Sequence, residues 1–231
     1  MNILSKIKIF LMNSRLLQLT ALALKKHKLR KQFENSTAYW IQRYANGRNS
    51  GPGSYNDLAE YKADILNSFI KKNNLITVAE LGCGDGNQLK YAIYPQYIGY
   101  DVSEDAIEQC KRLFCNDITK KFHLMNELNS LHADVTLSLD VIYHLVEDTV
   151  FNDYMNKLFL AEKFVIIYSS NTNKQGLIQA PHVFHRNFTD YINKHFPAWR
   201  LFSFIQNPYT YNQNRYTTTF SNFYIYSKRS S

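Results

Sequence analysis

An apolar run ending in three alternating glycines constrains this chain more than any other stretch: Thr77 to Leu89 reads TVAELGCGDGNQL. Val78, Ala79 and Leu81 suit a buried strand. Gly82, Gly84 and Gly86 make a turn in which backbone can approach a ligand without side-chain obstruction. Glu80 precedes the turn, and a second apolar run, YIGYD, ends at Asp101, 19 positions after Gly82. A carboxylate about 20 residues beyond the first glycine, at the end of the second strand, is where nucleotide-binding folds take a ribose hydroxyl pair. The pattern predicts a strand–turn–helix cradle for a nucleoside-containing cofactor.

The glycine spacing selects among such cofactors. A dinucleotide fingerprint needs G-x-G-x-x-G, whose last glycine lets a helix pack closely beneath a pyrophosphate. Here the third glycine comes one position early, at Gly86, and Asn87 stands where that fingerprint needs glycine. The pattern E-x-G-x-G-x-G instead resembles the first motif of class I S-adenosylmethionine-dependent methyltransferases, whose cofactor joins adenosine to a methionine tail and has no phosphate. The resemblance runs over residues 37 to 228 through YWIQRYANGRNSGPGSYNDLAEYKADILN, AELGCGDGNQLKYAIYPQYIGYDVSEDAIEQC, LSLDVIYHLVED, IIYSSN and HVFHRNFTDYI. Together these strings are similar to a bacterial methyltransferase group associated with surface-polysaccharide and glycan gene clusters.

The order of elements agrees with an α/β fold. Gly47, Gly51, Pro52 and Gly53 mark a loop, and Ser54 or Asn56 can cap a helix whose apolar face includes Leu58, Tyr61, Ile65, Leu66 and Phe69. After the glycine turn the patterns predict a helix over 87–93, a strand over 97–101 and a helix over 103–114 begun by Ser103. Strands near 121–125 and 134–140, a helix over 147–162 and the β-branched strand KFVIIYSS at 163–170 follow. A helix over 186–195 and strands near 199–206 and 220–227 complete the chain, with the Tyr/Asn/Thr-rich run 207–219 as their connection. Alternation of this kind calls for a sheet with helices on both faces. The resemblance makes it a Rossmann-like, seven-stranded class I methyltransferase sheet, the seventh strand inserted antiparallel at the sheet edge.

Net charge is +8, and its distribution matters more than its size. Residues 1–34 hold eight bases against one acid, Glu34, whereas the other 197 residues hold 19 bases and 18 acids. A near-neutral main domain argues against a general nucleic-acid surface. We therefore divide the chain into a basic amphipathic helical extension, 1–36, and a methyltransferase domain, 37–231. The apolar run Leu16 to Leu24 is far shorter than the roughly 20 residues that span a bilayer, and no signal-peptide cleavage site follows it. The extension thus reads either as a helix resting on an anionic membrane or a partner, or as one packed on its own domain. Three cysteines, Cys83, Cys110 and Cys115, show no metal spacing and leave an odd thiol, which suits a reducing cytoplasm.

Site residues follow from position and from the resemblance. By resemblance, Asp101 takes the ribose, with Glu80, Gly82, Gly84 and Gly86 around it. Asn126, with Glu127, falls where the adenine amino group is contacted. Trp40 and Arg43, or the loop Ser50 to Tyr55, close the site and bind the methionine carboxylate; the alternative is that Trp40 is a packing anchor and Arg43 a surface ion pair. Asp140 lies at the end of the fourth strand, where open α/β sheets place ligands. By resemblance it sits near the cofactor while Tyr143 and His144 face the acceptor; otherwise Tyr143 is core and His144 a helix cap. His182, His185 and Arg186 form a cluster suited to an anionic or polyhydroxyl acceptor, with Asn171 nearby, or to structural hydrogen bonding. Their H-x-x-H spacing lacks a converging carboxylate, so no metal is expected. An oxygen acceptor also needs a base, for which His144 and His182 are the candidates.

The expected activity is methyl transfer from S-adenosylmethionine, releasing S-adenosylhomocysteine, to a small-molecule or glycan acceptor, on oxygen. Two rivals remain: an RNA or protein methyltransferase recruited through the basic extension, and a non-catalytic cofactor-binding scaffold for a glycan-assembly partner.

Overall fold

The computed structural model describes residues 33–176, 179–212, 214 and 216–229. The basic helix expected over 1–34 therefore lies, but for its last two residues, outside the described residues. Seven strands make one sheet: β1 Thr77–Leu81, β2 Gln96–Asp101, β3 Lys120–Leu124, β4 Val135–Leu139, β5 Phe164–Ser169, β6 Trp199–Ile205 and β7 Asn222–Lys228. Their order is β3-β2-β1-β4-β5-β7-β6. The first five are parallel, and β7 runs antiparallel between β5 and β6, so β6 rather than the last strand forms the edge.

Side-chain alternation explains the layers. Val78, Val135, Leu137, Ile166 and Tyr168 face one core with Leu66 and Ile70 of α2 (Asn56–Lys72) and with Ile107 and Cys110 of α3 (Glu104–Leu113). Ala79, Leu81, Val165 and Ile167 face the other, with Phe151, Tyr154, Met155 and Leu158 of α4 (Asp148–Leu158) and Phe188 and Ile192 of α5 (Phe188–His195). A short first helix, α1 (Ser36–Ala45), begins at Asn35, whose Oδ1 accepts from the Ala38 amide at 2.8 Å. No helix among the described residues is long and apolar enough to cross a membrane.

Three local expectations fail. The helix over 87–93 is only a 3-10 turn, Gln88–Tyr91. Few residues separate Gly86 from β2, and Pro95 drives the residue before it into extended backbone, which leaves no length for an α-helix. Neither Ser54 nor Asn56 caps α2: the N-cap is Tyr55 without a side-chain bond, Asn56 sits at φ 52°, and Ser54 gives its carbonyl to Asn87 Nδ2. The buried stripe of α2 is Leu58, Ala59, Lys62, Ala63, Leu66 and Ile70, so the helix is turned to put a lysine inside while Tyr61, Ile65 and Phe69 flank the core.

At the end of the sheet opposite the glycine turn, Asp134 Oδ2 accepts from the Ile76 and Thr77 amides at 2.7 and 3.1 Å, and its Oδ1 meets Lys163 Nζ at 2.7 Å. Edge strand β6 carries a bulge between Leu201 and Ser203, beside exposed Leu201, Phe202 and Phe204.

Candidate functional site

Strand order reverses between β1 and β4, and the crevice beyond the carboxyl ends of such strands is where open α/β sheets receive ligands. A cavity of about 1100 Å³ opens there. Its floor is the glycine turn. Gly82, at φ 85°, lies under Val141, and Gly84, at φ 59°, comes so close to Ser50 that a Cβ would stand 2.3 Å from the Ser50 hydroxyl. Asp101 steadies the turn: one carboxylate oxygen accepts from the Gly84 amide and the other from the Ser103 amide, each at 3.0 Å. Burial pushes its carboxyl up to about 6. Glu80, bound by the Tyr97 hydroxyl at 2.7 Å, is pushed by burial up to about 7.

The loop before α2 forms the front wall. Ser50 and Asp85 clasp reciprocally, Ser50 N donating to Asp85 Oδ2 at 2.8 Å and Asp85 N to Ser50 Oγ at 3.1 Å. Tyr55 donates to the same Oδ2 at 2.8 Å, and Tyr44 hydroxyl meets Ser50 Oγ at 2.9 Å. Arg43 holds the loop from α1: Nε donates to the Asn49 carbonyl at 2.6 Å and Nη1 to the Tyr39 hydroxyl at 3.3 Å, with its guanidinium 5.4 Å from the Trp40 ring. The chain enters α1 fastened to α4, since Ser36 N donates to Glu147 Oε1 at 3.0 Å and Val146 N to Ser36 Oγ at 2.9 Å.

Opposite stand the aromatic and imidazole rings. His144 Nδ1 donates to the His182 carbonyl at 2.9 Å, which leaves Nε2 as the unprotonated nitrogen of the neutral ring. The two imidazoles lie 5.3 Å apart; His182 stacks on Tyr39 at 4.0 Å, and Trp40 meets His144 edge-on at 4.9 Å. Burial brings His144 down to about 4, and burial together with the His144 and Arg43 charges brings His182 to about 3. Both are neutral at pH 7 and far from the near-neutral poise a general base is expected to have.

Of the residues singled out from sequence, Trp40, Arg43, Glu80, Gly82, Gly84, Asp101, Asp140, Tyr143, His144 and His182 line this cavity. Asp140 has prior commitments, to Lys62 Nζ at 2.9 Å, the Tyr143 hydroxyl at 3.1 Å and the Ser221 hydroxyl at 2.8 Å. The others stand outside the wall. Gly86 packs on Cys110 and Phe114 behind the turn. Asn126 is exposed in the 3-10 turn Met125–Glu127, where Met125 lines the cavity instead. Asn171 binds Thr189, and His185 binds Ser170 Oγ at 2.7 Å. Arg186 is a staple rather than an open fork, bound to the Leu145 and Val146 carbonyls and Asp148 and sandwiched between Phe151 and Phe184.

Sequence reasoning missed Tyr44, Gln88, Val102 and Met125 in the wall, and Asp85 and Lys62 behind it. Asp85 stood inside the glycine motif and was the detectable one, since a carboxylate there has backbone donors within reach.

No protein-family model matches the chain, and no curated protein does. Solved structures do. They include the N-methyltransferase NodS from Bradyrhizobium japonicum with S-adenosyl-L-homocysteine, at TM-score 0.63 and 13% identity over 85% of this chain and 100% of that one. The methyltransferase domain of bacterial CtHen1 gives 0.58 and 17% over 75% and 100%. A putative RNA methyltransferase from Pyrococcus horikoshii gives 0.57 and 13% over 83% and 89%. The chain has the Rossmann-like class I methyltransferase fold.

Proposed function

We propose that this chain transfers the methyl group of S-adenosylmethionine to an oxygen of a small-molecule or glycan acceptor. The observation that carries the cofactor half is a cradle without a helix. Phosphate-binding glycine turns feed into a helix whose N–H groups and dipole attract the anion. Here Gly86 leads into four residues of 3-10 turn, and the Asp85 and Asp101 carboxyl groups bind the backbone of the loop. Such surroundings repel a pyrophosphate and favour a ligand bearing hydroxyls and positive charge. Gln88 supports the fit: its Oε1 is buried without a partner while the residue lines the cavity, and an ammonium donor of the bound cofactor would satisfy it. Asp101 keeps lone pairs for the ribose hydroxyls, Val102 and Met125 give apolar cover for adenine, and Arg43 has N–H donors beyond its two bonds for a carboxylate.

When bound, the sulfonium supplies an electrophilic methyl group and departs as a neutral thioether. The residues of the chain align the acceptor, exclude water and manage its proton. His144 Nε2 takes that proton as the oxygen–carbon bond forms, with the His182 carbonyl fixing the tautomer. Tyr143 and His182 orient the acceptor from either side. The basic extension would hold the enzyme at the inner, anionic face of a membrane or on a partner protein.

A second reading has a specific observation behind it. Imidazoles held near 4 and 3 are weak bases, which suits an amine that enters as its free base, attacks with its lone pair and loses a proton to solvent only after the nitrogen–carbon bond has formed. Incubation with labelled S-adenosylmethionine and fractionated lysate, followed by His144→Ala on the fraction that takes label, separates the two. A hydroxyl acceptor predicts a loss of roughly 10²- to 10⁴-fold, and an amine acceptor a much smaller one. Absence of calorimetric binding to both S-adenosylmethionine and S-adenosylhomocysteine would sink either reading.

A further inference from the structure

Lys62 is the one lysine buried completely among the described residues, its side chain 0% exposed and its partner Asp140 12% exposed. It is not among the residues that line the cavity. Burial of a charged pair is a doubtful source of stability, because desolvation opposes the attraction. The surroundings of Asp140 suggest another use for it. Asp140 closes β4 at φ 60°, a left-handed conformation uncommon for a non-glycine residue, and begins the turn that carries Tyr143 and His144. Lys62 Nζ engages Oδ2, while Oδ1 accepts from Tyr143 at 3.1 Å and from Ser221 at 2.8 Å. The Asp140 amide donates to the Tyr168 carbonyl at 2.8 Å, and the Lys62 ammonium lies 5.3 Å from the Tyr168 ring. Gly53 is shaped to the same carboxylate, since a Cβ there would stand 2.9 Å from Oδ2. The front loop, α2, the turn after β4 and the start of β7 thus converge on one side chain.

We propose that the buried Lys62–Asp140 pair is a positioning device: Asp140 Oδ1, accepting from Tyr143 and Ser221, sets the 140–144 turn, and with it the Tyr143 and His144 rings, at the acceptor end of the cavity, while Lys62 on Oδ2 balances the buried charge. The proposal rests on the methyl-transfer reading for its kinetic consequence but not for its structural one. The Tyr143 hydroxyl donates to Oδ1, and the His144 ring packs against the Tyr143 ring at 4.5 Å between centroids, so loss of that acceptor oxygen releases both. A displacement of about 1 Å in such a constellation costs roughly 100-fold in rate.

Two double variants separate positioning from stability, because each removes both charges together. Lys62→Met/Asp140→Asn keeps an acceptor oxygen for Tyr143 and Ser221 and a residue that tolerates the backbone angle. Lys62→Met/Asp140→Gly keeps the angle and removes the oxygen. Turnover is read as S-adenosylhomocysteine released with the acceptor fraction that takes label, binding as the calorimetric Kd for S-adenosylhomocysteine, and ring placement as the NMR titration of His144. Groups that bear on that titration are the His182 carbonyl and ring, His185, Arg43 and Asp140. The Asn variant keeps turnover within about 5-fold and His144 near its depressed value. The Gly variant loses about 100-fold in turnover with Kd within about 3-fold, and its His144 titrates closer to the ordinary imidazole range. Equal behaviour of the two variants, in either direction, overturns the proposal. If the Gly variant does not fold, Ser221→Ala carries the test: it removes one of the two donors to Oδ1, and unchanged turnover with an unmoved His144 overturns the proposal. Failure of the wild type to bind S-adenosylhomocysteine would instead remove the methyl-transfer reading, and the His144 titration would still test the hub.

Discussion

Substitution of Gly84 by alanine tests whether the front loop and glycine turn touch as closely as described. Two costs coincide there. At φ 59° an L-residue costs about 1–2 kcal/mol, and the new Cβ would lie 2.3 Å from Ser50 Oγ and 2.8 Å from the Tyr44 hydroxyl. Ser50 must then move, which breaks its bonds to the Asp85 amide and to Tyr44, at about 1 kcal/mol each. The sum is roughly 3–4 kcal/mol, equivalent to a fall in Tm of roughly 6–15 °C for a chain of this size. Gly47 supplies the control, because it sits at φ 68° with no atom within 4 Å of a built Cβ. Gly47→Ala should show the conformational cost alone, a fall of roughly 2–8 °C. Scanning calorimetry gives the two melting points. Titration with S-adenosylhomocysteine should show at least ~30-fold weaker binding for Gly84→Ala, as about 2 kcal/mol of loop contact is lost, and under ~3-fold for Gly47→Ala. If the two variants melt together and bind alike, the Ser50 contact is not tight and the front loop is no part of the cofactor wall.

The share of stability that Glu80 gives the cofactor-free chain should fall as pH rises from about 4.5 to about 7. Glu80 near 7 and Asp101 near 6 keep protons in the folded state that their unfolded counterparts, at 4.5 and 3.8, lose first; the stability is full below the unfolded values and is gone once pH has climbed through the folded ones. His144 and His182, lowered from 6.5 to about 4 and about 3, act oppositely over much of the same range, with a contribution complete only about one pH unit above 6.5 and lost on acidification. The melting point of the wild type relative to Glu80→Gln should therefore decline across the window; a difference that stays constant or rises contradicts the burial of Glu80. Asp134→Ala, which strips the acceptor from the Ile76 and Thr77 amides, should cost about 2–3 kcal/mol and roughly 5–10 °C in Tm while leaving S-adenosylhomocysteine affinity within about 2-fold. A large loss of affinity there would mean that the two ends of the sheet are coupled.

Periodic apolar strands, the glycine turn and the Ser103 cap are local signals, and each appears in the structure within a residue or two of its expected place. The polar and apolar spacing over 87–93 is compatible with a turn of helix, while Pro95 and the short distance to β2 decide otherwise. Lys62 was illegible for a different reason: a lysine in an apolar stripe reads as the solvated side, and only the tertiary approach of Asp140 makes its burial tolerable. Arg186 shows the converse. Its place beside two histidines suggests ligand recognition, yet the carbonyls of Leu145 and Val146, 41 and 40 residues away in sequence, take up its fork. Ser50 and Asp85 form a clasp between residues 35 positions apart, for which sequence spacing has no signature.

The bulge in β6 bears on how this chain behaves at high concentration. Leu201, Phe202 and Phe204 expose apolar side chains on a strand whose outer edge is unpaired among the described residues, the combination from which sheets extend into neighbouring molecules. Leu201 pairs with Tyr226 and Ser203 with Ile225, so Phe202 is a supernumerary residue that breaks the even spacing of amides along that edge. An incoming strand meets a discontinuous row of donors and acceptors and gains only a short run of bonds. The irregularity thereby shortens the run of bonds that an oily margin can offer a second strand.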